Sequence, residues 1–290
     1  GDKLEQISDL GVEDAKLAPD GTLYIADYSG MHTYAGGKLT SVGKEGRGSS
    51  IAFGPKGELW IGSYGSVSQL VGDNWVESKA PEDCGTCSHV GVDSKGTVYL
   101  AGVDKIAAKT GDKWEMVDVP KLIGSEPQTI EGLAAVGGTL YAVTSQQAIS
   151  LEDQKTKLQL PAGDYGYLSL SNMPVLTPTG ELAGHTYSQC FIASAKGAPV
   201  EHGITDLGLT ASSISAFAVD GQGRRWVGTN GGLAVLSKDN KALLTFPPGS
   251  LPSGVDAIYL FGKGPELPAK AQDVVKGAVL AFNDAVVLQA

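Results

Sequence analysis

Residues 217–229 read FAVDGQGRRWVGT, and the fold is decided by how this stretch is read. Phe217, Ala218 and Val219 form a short strand of small and apolar residues. Asp220 to Gly223 is a turn signal, and the chain resumes as a second strand carrying Trp226. Two short runs separated by a Gly-containing turn make a hairpin. The same unit returns as LAPDGTLYIAD at 17–27, IAFGPKGELWIGS at 51–63, VGVDSKGTVYLAG at 90–102, LAAVGGTLYAVT at 133–144 and VLTPTGELAGHT at 175–186. Its aromatic position is occupied by Tyr24, Trp60, Tyr99, Tyr141 and Trp226, with Ala183 taking the place once. Each unit alternates with period two, which excludes a solenoid of helix pairs.

A period of roughly 40 residues suits one four-stranded blade of a β-propeller. Innermost strands converge on the axis and must be narrow, and here they carry Ala18, Ala52, Gly91, Ala134, Ala135, Ala216 and Ala218. Outer strands diverge and need bulk: Trp75 and Trp114 fall on fourth strands, Trp60 and Trp226 on second strands, so packing accounts for all four tryptophans. The expected architecture is all-β, a single seven-bladed propeller domain over 1–290. Its units span about 12–45, 48–80, 88–119, 129–160, 165–202, 212–248 and 254–290, the last completed by a strand in 3–11. Joining the two ends in one sheet removes an unpaired edge, which would otherwise template aggregation. The stretch AKAQDVVKG at 269–277, closing the insertion from Lys263 to about Lys276, has helix-forming residues.

Composition narrows the function classes. The chain has 40 Gly, 14 Pro and only 3 Met, and 42% apolar residues, enough for a sizeable core. A formal net charge of −10, from 32 acidic against 22 basic residues, opposes nucleic acid and anionic membranes. No apolar run reaches the roughly 18 to 20 residues of a spanning helix, so no membrane insertion is expected. The chain begins Gly-Asp, and we read it as an exported protein, periplasmic or secreted, whose signal sequence has been removed.

The segment from Leu209 to Leu233 resembles the two-component-regulator propeller repeat of bacterial sensor proteins. The likeness rests on Asp220, Gly223, Trp226, Gly228, Thr229, Gly231, Gly232 and Leu233, with Leu251, Pro252, Ser253, Asp256, Ala257 and Ile258 as a lead-in to the next unit. PDGTLYIAD, PKGELWIGS and DSKGTVYLAG match in part. The resemblance implies a propeller serving as a non-catalytic extracytoplasmic module. The repeat is also similar in shape to streptogramin-lyase-like and gluconolactonase-like propellers.

Propellers place function on the face built by loops between second and third strands and by the loops linking blades. The first set offers Tyr28, Tyr64, Asp104, Gln146, Tyr187, Asn230 and Asn283, and the linkers offer Arg47 and Lys121. Tyrosines among amides and charges suit a protein or sugar ligand, because Tyr adds contact area at low entropic cost. Cys84-Gly-Thr-Cys87 lies in a linker. A loop-stapling disulfide is the first reading of this pair, ahead of free thiols and of metal or redox chemistry. Haem attachment fails because Ser88 follows, and zinc would lack a fourth ligand beyond Cys84, Cys87 and His89. Cys190, in SQCFIA, reads as a buried small hydrophobe.

Of the four histidines, His185 lies four residues after Glu181 on one strand, about 13 Å along it, too far to share a proton or metal. No catalytic set, metal site or cofactor is expected. The leading function is therefore a non-enzymatic interaction module that holds a protein partner on one face. The alternatives are a small-ligand or carbohydrate-binding sensor and a divalent-metal-dependent propeller lyase or hydrolase.

Overall fold

The computed structural model describes residues 5–8, 12–18, 22–27, 29–35, 38–43, 47–124, 129–136, 138–144, 146–161, 175–177, 181–194, 197–207, 211–220, 222–230, 232–246, 257–260, 278–282 and 285–288. Among them run twenty-eight strands in seven four-stranded antiparallel sheets.

The chain opens with β1 (Glu5–Ser8). The first sheet is β2 (Val12–Leu17), β3 (Leu23–Asp27), β4 (Gly30–Ala35) and β5 (Lys38–Ser41). The second is β6 (Ser50–Phe53), β7 (Leu59–Ser63), β8 (Ser66–Val71) and β9 (Asn74–Lys79). The third is β10 (His89–Val92), β11 (Val98–Ala101), β12 (Ile106–Thr110) and β13 (Lys113–Val117). A short helix, α1 (Val119–Ile123), leads to the fourth: β14 (Ile130–Val136), β15 (Thr139–Thr144), β16 (Gln147–Ser150) and β17 (Lys157–Gln159). The fifth is β18 (Val175–Leu176), β19 (Leu182–His185), β20 (Gln189–Ala193) and β21 (Val200–Gly203). The sixth is β22 (Ile214–Val219), β23 (Arg225–Thr229), β24 (Gly232–Leu236) and β25 (Ala242–Phe246). The seventh draws β26 (Ala257–Leu260), β27 (Ala278–Phe282) and β28 (Ala285–Leu288) from one end of the chain and β1 from the other, with Glu5 opposite Leu288 and Gln6 opposite Val287. The 263–276 stretch, with its helix-forming residues, lies outside the described residues.

The chain divides into two compact units, Val12–Leu158 and Gly1–Gly11 with Gln159–Ala290. In the first, the leading strands β2, β6, β10 and β14 lie side by side in that order, and apolar side chains fill the space between successive sheets. Ile51 and Ile61 pack with Ala26 and Met31. Val67, Val90, Leu100 and Ala107 form the next layer. Ile106, Leu122, Ile130, Leu140 and Ile149 form the layer beyond it, where α1 contributes Val119, Leu122 and Ile123. In the second unit β22 lies between β19 and β26, and Phe217, Val227, Ala234 and Leu236 pack with Ala183, Cys190 and Leu207.

Close approach between sheets demands small residues. A Cβ at Gly62 would lie 2.3 Å from the Ser88 carbonyl oxygen and 2.6 Å from Ser50 Oγ. Polar side chains also stitch neighbouring leading strands. The Ile51 amide donates to Asp14 Oδ2 of the preceding sheet at 2.8 Å, and the Val90 amide donates to Ser50 Oγ at 2.8 Å. In these two strands a backbone donor on the narrow edge thus finds an acceptor in the sheet before it.

The repeat motif has a physical basis visible in two sheets. Asp220 Oδ1 accepts from the Gln222 and Arg224 amides, while its Oδ2 accepts from Trp226 Nε1 at 2.9 Å and from Arg224 Nε at 2.5 Å. Asp93 does the same with the Lys95 and Thr97 amides and the Tyr99 hydroxyl. One carboxylate therefore shapes the turn and satisfies the polar tip of the aromatic six residues on. Gly223, at φ +73°, supplies the left-handed position the turn needs.

Candidate functional site

In a four-stranded antiparallel sheet the turn between second and third strands and the connection leaving the fourth emerge at the same end. The last residue of the second strand, or the one just after it, recurrently closes that turn. Asp27 Oδ1 accepts from the Ser29 and Gly30 amides, and Thr144 Oγ1 accepts from the Gln146 and Gln147 amides. Thr186 Oγ1 accepts from the Ser188 and Gln189 amides, and Thr229 donates to the Gly232 carbonyl. These short side-chain-to-backbone loops hold the turns and leave their tips outward.

In the unit Val12–Leu158 this end carries Tyr64, Asp104, Gln146, Arg47 and Lys121, all exposed. Tyr64 is 77% exposed, an unusual setting for an aromatic. Its turn is nonetheless fixed: the Gly65 amide donates to the Cys87 carbonyl at 2.9 Å, and the Ala80 amide to the Gly65 carbonyl at 2.9 Å. Cys84 and Cys87 are joined in a disulfide, with Cα atoms 5.1 Å apart. Both sulfurs are buried against Val67, Val90 and Leu100, while Glu82, Asp83, Gly85 and Thr86 are exposed around them. The next turn closes on the far side of the staple. The Ser88 amide donates to the Ala101 carbonyl, and the Ile130 amide to the Val103 carbonyl at 2.7 Å. Tyr64 and Asp104 therefore flank one disulfide-bound loop. Gln146 belongs to the turn after β15, whose neighbour Gln147 donates through Nε2 to the Ile123 carbonyl at the end of α1. Lys121 lies within α1, where Asp118 caps the first turn by accepting from the Lys121 amide. Arg47 sits apart, on the connection between β5 and β6.

In the other unit Tyr187 is 57% exposed, and its carbonyl accepts from the Ile214 amide at 2.8 Å. Asn230 is exposed and donates through Nδ2 to Ser212 Oγ at 2.7 Å. Tyr28 and Asn283 lie outside the described residues.

Several further polar groups lie at the same end. His185 is buried at the end of β19. Its Nδ1 lies 3.1 Å from the Thr186 carbonyl, which places the proton there and leaves Nε2 as a buried lone pair with no partner among the described residues. Burial holds the imidazole below its ordinary pKa, partly offset by that carbonyl. His89, on β10, is likewise pushed down by burial, against the opposing pull of Asp14 and with a smaller contribution from Lys16. Cys190 faces His202 across β20 and β21 and is buried; desolvation pushes its thiol up to about 12, so it is a neutral core group. Around His32 the structure gathers Asp27, Ser29 and Ser41. The sequence signal for that cluster, Asp27-x-Ser29-x-x-His32 at a turn, was present but has no characteristic spacing. Among the described residues no group of three His, Cys, Asp or Glu side chains is arranged to hold a metal ion.

No family model matches the chain, and no curated protein matches it by sequence. Its likeness is to solved structures. Virginiamycin B lyase from Staphylococcus aureus superposes with a TM-score of 0.70 at 12% identity, covering 100% of this chain and 99% of that one. The chain is a β-propeller. The extracellular domain of BT4673 from B. thetaiotaomicron, assigned to the hybrid two-component systems, gives a TM-score of 0.65 at 14% identity over 100% of this chain and 40% of that one. PorZ, a bacterial surface component of the type-IX secretion system of Porphyromonas gingivalis, gives 0.64 at 13% identity over 97% of this propeller and 46% of that chain. At these identities the likeness carries the fold alone.

Proposed function

We propose that this propeller is an extracytoplasmic interaction module, periplasmic or secreted, in which the seven sheets act as seven blades of one domain over 1–290. It holds a protein partner on the end formed by the second-to-third-strand turns and the inter-sheet connections. Tyr64, Asp104, Gln146, Arg47, Lys121, Tyr187 and Asn230 are the contact residues, together with Tyr28 and Asn283.

The observation carrying this reading is the exposure of Tyr64 and Tyr187, 77% and 57%, on turns whose backbone is held by hydrogen bonds. An aromatic held out on a rigid turn loses little entropy on binding and buries much area, which is the character of an interface anchor. The Cys84–Cys87 disulfide fits an oxidising compartment, as do the surface and extracellular settings of two of the similar structures. The test is capture from a native envelope fraction by wild type and by a Tyr64→Ala/Tyr187→Ala variant. A partner retained by wild type and lost in the variant, at unchanged melting temperature, supports the reading. Equal capture by both, or capture of nothing specific, overturns it.

A second reading has one observation in its favour: this chain and the S. aureus lyase cover one another almost end to end. A divalent-metal-dependent lyase would gain several degrees of melting temperature from sub-millimolar magnesium, reversed by EDTA.

A further inference from the structure

The first sheet holds a hydroxyl–imidazole–carboxylate relay that neither reading above uses. Asp27 ends β3, and its side chain is fully buried. Its Oδ1 accepts from the Ser29 amide at 2.6 Å, the Gly30 amide at 2.9 Å and the Ser29 hydroxyl at 2.6 Å. The other oxygen, Oδ2, lies 3.0 Å from His32 Nε2 and, among the described residues, accepts no hydrogen bond. Ser29 Oγ also lies 3.2 Å from Nε2. In the neutral imidazole, one tautomer sets a lone pair against a carboxylate oxygen, whereas a proton on Nε2 faces the carboxylate and leaves the lone pair on Nδ1. On that side, 3.4 Å away, stands the hydroxyl of Ser41.

The ladder fixes this pairing. His32 lies opposite Ser41, and the adjacent Val42 amide donates to the Met31 carbonyl at 2.8 Å. His32 and Ser41 therefore form the non-hydrogen-bonded type of antiparallel pair, in which side chains are closest. In such a pair the Ser41 amide points away from β4, off the outer edge of the sheet, since β5 is the edge strand. Ser41 is exposed, whereas the His32 side chain is only 12% exposed.

We infer that Ser41 is an activated nucleophile, with His32 as its base and Asp27 as the residue that positions and balances the imidazole, and that the site takes a small carboxylic ester. An exposed hydroxyl, a mostly buried base and a fully buried carboxylate, ordered in that sequence, are the roles such chemistry requires. Ser41 Oγ attacks the ester carbonyl as its proton passes to His32 Nδ1. The carbonyl oxygen takes up the negative charge beside the Ser41 amide. The imidazolium, balanced by Asp27, returns the proton to the departing alcohol and leaves an acyl-Ser41 ester. Water, deprotonated by Nδ1, then releases the carboxylic acid and restores the hydroxyl. Ester and water become acid and alcohol, with no other reactant.

The relay shares its end of the sheet with the proposed partner face, but its test needs no partner. The full chain is treated with a fluorophosphonate probe and with p-nitrophenyl acetate, and adducts are mapped by mass spectrometry. The expected result is one adduct per chain at Ser41, absent in Ser41→Ala and formed at least about 10²-fold more slowly in His32→Gln, the range a general base contributes. Asp27→Asn, which keeps an oxygen for the turn amides, slows acylation while the melting temperature stays near that of wild type. Absence of an adduct at Ser41 under conditions that fully label a reference serine esterase overturns the inference. So does labelling of His32→Gln at the wild-type rate, or labelling confined to other serines. The wild-type mapping decides the matter even if a variant fails to fold.

Discussion

Asp220 and Asp93 hold equivalent places in two sheets, and each satisfies a turn and an aromatic at once. Replacing Asp220 with Ala removes the acceptor of the buried Trp226 Nε1 and one acceptor of Arg224, at a cost of roughly 3 kcal/mol. Urea unfolding measures it, and an unchanged midpoint would refute the account. Trp226 is fully buried, so Trp226→Ala is expected to cost about 3–5 kcal/mol in the same assay. His185 makes a prediction of a different kind. Its imidazole titrates lower in the folded chain than the roughly 6.5 of an unfolded one, so below that pH the unfolded state binds the extra proton. Folding stability is therefore greatest above about pH 6.5 and falls as the solution is acidified. His89 and His202, also held low by burial, act in the same direction. Melting curves from pH 7.5 to 5.5 should show this decline, with a shallower slope in His185→Gln. The turn signal at Asp220 was legible in the sequence; the orphaned Nε2 of His185 was not, because it depends on what surrounds β19.

At the scale of elements, the Cys84–Cys87 loop shows how far local spacing can speak. A three-residue separation in a linker allowed a staple, free thiols or a metal site, and only burial of both sulfurs between sheets separates these. The staple holds the loop between the Tyr64 and Asp104 turns. A Cys84→Ala/Cys87→Ala variant should lose about 2 kcal/mol, the chain-entropy value for so short a loop. Calorimetry decides this, and a loss near zero would mean that packing alone seats the loop. The same element-scale view explains Gly62, near the end of β7. Gly62→Ala drives a methyl into the Ser88 carbonyl, and its effect on the melting temperature should exceed that of Gly203→Ala, where a Cβ makes only ordinary contacts from 3.4 Å outward.

For the whole molecule, the decisive feature is a sheet made from both ends of the chain. Deleting residues 1–11 removes β1 and leaves β28 with an unpaired edge. The truncated chain should melt lower and associate at concentrations where the full chain stays monodisperse, as light scattering would show. The amino-acid sequence by itself determined the four-stranded repeat, its small inner residues and the pairing of the two ends. These follow from side-chain size, turn chemistry and period, all of which act over a few neighbouring positions. Tertiary structure alone decided which polar groups meet: Asp14 with the Ile51 amide, Ser50 with the Val90 amide, and His32 with Asp27 and Ser41. Those contacts depend on strand register and on the packing of one sheet against the next, to within an ångström. A repeat as degenerate as this one does not carry such distances in its spacing.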